Sequence, residues 1–452
     1  MPPRRKPWRH QKQGTEFLSA NDFPALFSDP GTGKTKMVID TLYSGGRLPA
    51  LVIAPLTVLG VWVSELQING YPPPVIIAGS KKQRDAAMKQ PASLYLTNYE
   101  TLRTSGNQLS IHLVPRLSTV VADESTSIKS RNTEVTKRAV SIFRMVPHKI
   151  IMTGTPAPES AVDLFSQFLF LDNGATFGVR FDQFINDWLE PSFSGYGWQL
   201  KRPADKTMAR LKELLFSRGI HFPSSILKGI PPVRYQTIPL PLLPKQEAPY
   251  EQLDEEFEVA LKDTTYSTNY VIAKMEKLLQ IASGFMLDDD KRVHHFGSLK
   301  ERWLADFVKN LPEGKRLSVW IRHTEIARHV QEIVQNAGLS CGVISGAEGG
   351  PERWDTLRDF ADGKIRVVIC QAAASRFGIS LANADYMVWY ENVWSYADRY
   401  QAEHRLIRPG GAHRLNIVVY DLVTTGTEDE HLLEVLQRKK DFKEALMERR
   451  RG

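Results

Sequence analysis

ALFSDPGTGKTKMVIDTLY, residues 25–43, is the stretch on which the fold of this chain turns. A short apolar run leads into a glycine-rich turn, and a helical pattern leaves it. Strand, glycine turn and helix in that order are the context a phosphate-binding loop needs. Pro30, Gly31, Thr32 and Gly33 would shape the cradle, the glycines letting backbone N–H groups point inward at a helix N-terminus. Lys34 would reach the β and γ phosphates of ATP, and the Thr35 hydroxyl would hold Mg²⁺. The full spacing asks for glycine where Ser28 stands, so the pattern departs at one position.

Working outward, apolar runs of strand length recur on both sides of the chain's middle. The first set is Leu51–Ala54, Leu94–Thr97, Thr119–Asp123 and Lys149–Thr153; the second is Arg316–Ile321, Cys341–Ser345, Ile365–Cys370, Tyr386–Tyr390 and Asn416–Val423. Near-continuous apolar strands separated by helical stretches fit parallel sheets covered on both faces. The expected fold class is α/β, with two tandem doubly wound parallel-sheet domains. Residues 175–300 lack the repeating pattern and contain a proline cluster, GIPPVRYQTIPLPLLP, then a helical run from Pro244 to Phe285. The expected domains are therefore 1–230 and 231–452, the second with a helical protrusion at about 244–300.

The chain has 452 residues, 42% hydrophobic and 24% charged, which excludes a disordered or fibrous protein. Its 58 Lys and Arg against 51 Asp and Glu leave a formal charge of +7, compatible with a polyanionic partner. The two cysteines, Cys341 and Cys370, are too few for a disulfide framework and read as small buried residues in a reduced compartment. The longest apolar run, Ala50 to Val63, is too short to span a bilayer, and the basic N-terminus has no apolar segment behind it. The expected location is the cytoplasm, with no membrane partner. The basic ends read as solvated tails or helix faces. His294 and His295 near Asp288–Asp290 read as a polar hairpin rather than a metal site.

A phosphate loop requires an acidic partner for its metal. Asp123 and Glu124 end a strand, at the edge of a parallel sheet where ligands bind. Asp123 would position Mg²⁺ and Glu124 would orient or deprotonate the attacking water.

The order of motifs resembles a superfamily 2 helicase-type ATPase of the Swi/Snf-like branch, from about Trp8 to Glu430. Gln11 is similar to the glutamine that reads adenine. GTGKT resembles motif I, IAPLTVLGVWVSEL with Trp62 motif Ia, DEST motif II (Ser125 and Thr126 in place of Ala and His), and TGTPAPES motif III. VWIRHTEIARHV resembles motif IV, and Gly346 and Arg353 follow in the family's order. ASRFGISLANAD resembles motif V, with Gly378 kept but Ser375, Arg376 and Ser380 replacing Gly, Gly and Asn. QAEHRLIRPGG resembles motif VI: Gln401, Arg405 and Arg408 match, while His404 and Gly411 depart from the usual Asp and Gln.

The resemblance implies two RecA-like domains and a nucleic-acid-stimulated ATPase moving on double-stranded DNA. ATP would bind between the domains, with Arg405 and Arg408 as arginine fingers. Their three-residue spacing would put both on one helical face. Thr153 and Thr155 would couple nucleotide state to DNA grip. Candidates for backbone contact are Thr57, Thr97, Asn98, Lys129, Arg131, Ser345 and Arg376. The size of the chain suggests a minimal bacterial or phage version, acting as a monomer, with a nuclease or recombination protein as candidate partner. A strand-separating or branch-migrating helicase on single-stranded or branched DNA, an RNA substrate, and a nucleotide-switched scaffold are the alternatives.

Overall fold

The computed structural model describes residues 5–193, 198–202, 205–262, 268–288, 290, 292–345, 350–373, 380–408 and 416–448. The chain divides into two compact units, Met1–Leu227 with Asp441–Gly452, and Lys228–Lys440. The C-terminal segment, expected in the second domain, thus groups with the first.

Among the described residues, nine strands fall in the first unit: β1 Ala25–Ser28, β2 Ala50–Ala54, β3 Val75–Ile77, β4 Leu94–Asn98, β5 Thr119–Asp123, β6 His148–Thr153, β7 Glu190–Phe193, β8 Trp198–Arg202 and β9 Gly219–Phe222. Seven of them form one sheet in the order β3-β4-β2-β5-β6-β1-β9, and every pairing in it is parallel. Alternate residues of one strand enter different cores. Leu51 and Ile53 join one cluster, and Ala50, Val52 and Ala54 the other. Both faces are therefore covered, which is why the strands read as unbroken apolar runs. β7 and β8 form a separate antiparallel hairpin.

The second unit adds β10 Val233–Leu240, β11 Phe285–Leu287, β12 Val293–His295, β13 Leu317–Ile321, β14 Cys341–Ile344, β15 Val367–Gln371, β16 Tyr386–Trp389 and β17 Ile417–Thr424. Six make a parallel sheet, β10-β17-β16-β13-β15-β14, again with two faces: Val319 and Ile369 pack in one cluster, Trp320 and Cys370 in the other. The expected α/β class with two parallel-sheet domains stands. The helical run after Pro244 is present as the helices Pro244–Lys262 and Thr268–Ala282.

The proline cluster, near which the domain boundary was expected, carries secondary structure of its own. It holds β10, which pairs with β17 along its whole length. β10 is an edge strand with one neighbour, so Pro239 can sit in it without breaking a ladder on both sides. The dyad β11–β12 is the polar hairpin expected around His294, with the imidazole Nε2 2.9 Å from Asp288 Oδ2. Cys370 is buried as expected, while Cys341 is only half-buried. Among the described residues, no His, Cys, Asp and Glu group has metal-site geometry, and no helix is long and apolar enough to cross a membrane.

Candidate active site

β1 delivers the glycine loop to the carboxyl edge of the first sheet, and the helix Lys34–Ser44 leaves it. Gly31 and Gly33 have φ of +84° and +87°, a left-handed backbone that side chains resist. A Cβ on Gly33 would also lie 2.2 Å from Gln11 Nε2, so the glutamine packs directly on the loop. Gln11 is buried, accepts the Trp8 N–H at 2.9 Å and donates to the Thr32 carbonyl at 3.3 Å. His10 Nε2 lies 2.8 Å from the same oxygen, a contact not anticipated from sequence. Thr32 Oγ1 donates to the Asp29 carbonyl at 2.8 Å, closing the loop on itself.

Lys34 Nζ donates to the Ser28 carbonyl at 2.7 Å. Ser28 is where the pattern departs from glycine. The position contributes a backbone oxygen, which serine supplies as well as glycine. Thr35 is half-buried in the first turn of the helix.

Asp123 ends β5 and is buried. Its Oδ2 accepts the indole Nε1–H of Trp62 at 2.8 Å, and its Oδ1 accepts the Glu124 N–H at 2.9 Å. Tyr99 donates its hydroxyl to the Asp123 carbonyl at 2.7 Å. Burial, then the Glu124 carboxylate, push the Asp123 carboxyl well above the usual range, with Trp62 and Lys34 pulling it back. A buried acid raised by its neighbour beside a phosphate loop fits a divalent cation: oxygen ligands suit Mg²⁺, and its charge would remove the conflict. Glu124 is held at φ +48°, a strained position for a non-glycine residue that turns its side chain toward Thr153, whose Oγ1 donates to Glu124 Oε2 at 3.4 Å.

The altered DEST has a structural use. Ser125 donates to Gln167 Oε1 at 2.7 Å, and Gln167 Nε2 donates to the carbonyls of Pro156 and Asp163, each at 2.7 Å. Thr153 Oγ1 accepts the Thr155 N–H at 3.1 Å. Motif II is thereby tied to the motif III loop through Glu124–Thr153 and through Ser125–Gln167–Pro156. Neither Gln167 nor Trp62 announced its role in the sequence, because each acts across more than 40 residues of chain.

The expected backbone-contact residues divide. Thr97 is fully buried and donates to the Ile77 carbonyl at 3.0 Å, which withdraws it from any ligand. Asn98 caps the helix Tyr99–His112 by accepting the Thr101 N–H at 3.0 Å. Lys129 lies 3.8 Å from Glu159 and 3.7 Å from Asp163, and the exposed Arg131 lies over the Phe181 ring at 4.1 Å. Thr57 is half-buried in a short turn after β2. Ser345 is buried, its carbonyl accepting Arg353 Nη2 at 3.2 Å. Arg376 and Gly378 lie outside the described residues, as do Gly346 and Gly411.

In the second unit Gln401 and Arg405 ride on the helix Tyr396–Leu406, both half-buried. The shared helical face expected for Arg405 and Arg408 does not form. The helix stops at Leu406, Ile407 has ψ of 78°, and Arg408 lies beyond the end. Arg408 Nε donates to the His404 carbonyl at 3.0 Å, and burial pushes its guanidinium pKa down. His404 Nδ1 pairs with the Tyr400 carbonyl at 2.9 Å and its ring lies against the Tyr400 ring, 4.0 Å between centroids. On the same helix, Arg399 bonds Asp421 of β17 at 2.7 and 2.9 Å and Glu403 at 2.9 Å.

A phosphate loop, a buried acidic pair and a second parallel-sheet unit define an ATPase of the helicase type. Residues 10–288 match the SNF2-related domain, and residues 299–410 match the helicase conserved C-terminal domain. The chain belongs to the SNF2-related family. It is similar to the p41 protein of Acyrthosiphon pisum secondary endosymbiont phage 1, 25% identical with 94% of each chain covered. An ATP-dependent helicase of Mycoplasma pneumoniae is 23% identical over 96% of this chain and 41% of its own length. The mouse DNA annealing helicase and endonuclease ZRANB3 is 25% identical over 95% and 40%. The chain thus spans less than half the length of these last two relatives. Among solved structures, the Sulfolobus solfataricus SWI2/SNF2 ATPase core in complex with dsDNA aligns over 97% of this chain and 92% of that one, at 20% identity and a TM-score of 0.46.

Proposed function

We propose that the chain is an ATP-driven motor that moves along double-stranded DNA. The observation that carries this reading is the hydrogen-bonded line from the phosphate loop's acidic partners to the motif III loop, Asp123–Glu124–Thr153–Thr155. A group that orients the attacking water is there bonded to a loop, so turnover has a mechanical outlet. The family and its DNA-acting relatives support the choice of DNA.

In this reading the Gly31–Gly33 turn binds phosphate oxygens and Lys34 leaves the Ser28 carbonyl to meet them. Gln11 selects adenine. Thr35 and Asp123 would hold Mg²⁺, which would supply charge to neutralise the phosphates. Glu124 holds and deprotonates the attacking water, and Arg405 and Arg408 stabilise charge that grows on the transferred phosphoryl group. Thr153 senses the Glu124 carboxylate, and Thr155 passes the change on. Lys129 and Arg131 remain candidates for phosphate-backbone contact, since they are cationic and not fully buried; Thr97 is dropped.

The test is ATP hydrolysis by the full chain with no nucleic acid, single-stranded DNA, duplex DNA, branched DNA and RNA, alongside a strand-displacement assay. Duplex stimulation without displacement supports the motor. Displacement favours the strand-separating reading, and no stimulation by any of the four nucleic acids defeats both.

A further inference from the structure

The C-terminal end of the helix Glu428–Met447 reaches the phosphate loop. Lys443, Leu446 and Met447 recur at positions i, i+3 and i+4 and so share one face, and all three are buried. Leu446 and Met447 join the core beneath the first sheet, with Phe442 packed against it, and Lys212 Nζ donates to the Glu448 carbonyl at 3.3 Å. Lys443 Nζ lies 3.1 Å from Asp29 Oδ1, with both side chains less than a tenth exposed.

Asp29 organises the loop. It precedes Pro30, its N–H donates to the Phe222 carbonyl at 3.0 Å, and its carbonyl accepts the Thr32 hydroxyl. Its Oδ2 accepts the Ser224 N–H at 2.9 Å, and His221 Nε2 lies 3.8 Å from its Oδ1. A carboxylate at this point is electrostatically wrong for a triphosphate site. Unbalanced, it would repel the ligand that the loop exists to bind. A buried ammonium beside it cancels that charge and fixes the carboxylate in the orientation that serves Ser224. The pair is costly to build: burial, opposed by Asp29 and aided by Lys34, holds the Lys443 pKa below its ordinary value.

We propose that Lys443 is a positioning residue for nucleotide binding, which neutralises and orients Asp29 so that the phosphate loop is formed by both ends of the chain. The inference rests on reading residues 28–35 as the phosphate site. It gives the C-terminal segment a task in the first unit, where the basic end had read as a solvated tail or helix face. Lys443 acts through Asp29 and touches no substrate.

The test is equilibrium binding of ADP to the full chain, with ATPase KM and kcat measured in parallel and folding checked by thermal melting. K443M leaves a buried carboxylate beside the loop and is expected to weaken ADP binding at least about tenfold and raise KM more than it lowers kcat. The D29N/K443M double variant removes both charges. It should bind ADP as D29N does, at least about threefold weaker than the parent chain. Should K443M not fold, the comparison of the double variant with D29N is read alone. A further loss in the double, or parental affinity in both, overturns the proposal. K34A is the control: if ADP affinity survives it, the phosphate-site reading has failed, whereas its loss with no Lys443–Asp29 coupling sinks this inference alone.

Discussion

At the carboxyl edge of the first sheet the groups with chemistry hold one another. Lys34 is bonded to the loop it serves, Asp123 to Trp62, and Glu124 to Thr153. At the corresponding edge of the second sheet the bonding lies one layer lower. Arg399, on the helix Tyr396–Leu406, joins Asp421 of β17 and Glu403 of its own helix, and Arg405 and Arg408 stand at that helix's end; elsewhere in the unit His323 joins Glu391. The difference teaches a division of labour. At the first edge, where the proposed function binds nucleotide, Asp123 and Glu124 are already hydrogen-bonded in place, the condition in which electrostatic preorganisation is most effective. In the second unit the Arg399–Asp421 pair ties the arginine-bearing helix to β17.

That contrast predicts unequal effects on binding and turnover. The largest belongs to the first edge: K34A should lower ATP turnover by at least about a thousandfold and also abolish ADP binding. R408A should lower turnover by about a thousandfold while ADP affinity changes less than about threefold, the signature of a group used only in the transition state. Equal damage to binding would erase the distinction between the edges. E124Q comes next, with turnover down about a hundredfold or more and ATP still bound, as the loss of a general base requires.

Two stability measurements examine the ion pairs of the second unit. R399M leaves Asp421 and Glu403 buried without their cation, and should cost about 3–5 kcal/mol in chemical denaturation of the transition that includes the second unit. A cost below about 1 kcal/mol would mean the network is dispensable. The smallest effect concerns His323. Burial opposes its charge, but Glu391 at 2.8 Å and Glu276 lift its pKa from 6.5 to about 9 against the repulsion of Arg322. A raised folded pKa stabilises fully below pH 6.5, and that contribution fades as the pH climbs toward 9. The melting-temperature gap between the parent chain and H323Q should therefore narrow between pH 6.5 and 9; a constant gap would point to packing alone.

Much of both edges was legible in the sequence. Strand-length apolar runs exist because both faces of a parallel sheet are covered, and the glycine loop is visible because phosphate binding needs consecutive residues. Four features were not. Pro239 concealed β10, since edge position is a property of the sheet and not of the strand. The Arg405–Arg408 spacing suggested a shared face, but the helix ends between them at Leu406. Thr97 looked like a loop hydroxyl and is instead spent on the Ile77 carbonyl. Lys443 looked like part of a basic tail.

The sequence by itself determined the fold class, through its recurring apolar runs, and displayed the glycine loop and the Asp123–Glu124 pair, because those depend on neighbours within a few residues. Tertiary structure alone decided what those groups lean on: Trp62 for Asp123, Gln167 for Ser125, and Lys443 for Asp29 across 414 positions of chain. A buried charge or donor must find a partner wherever folding brings one, and separation along the chain carries no trace of that choice.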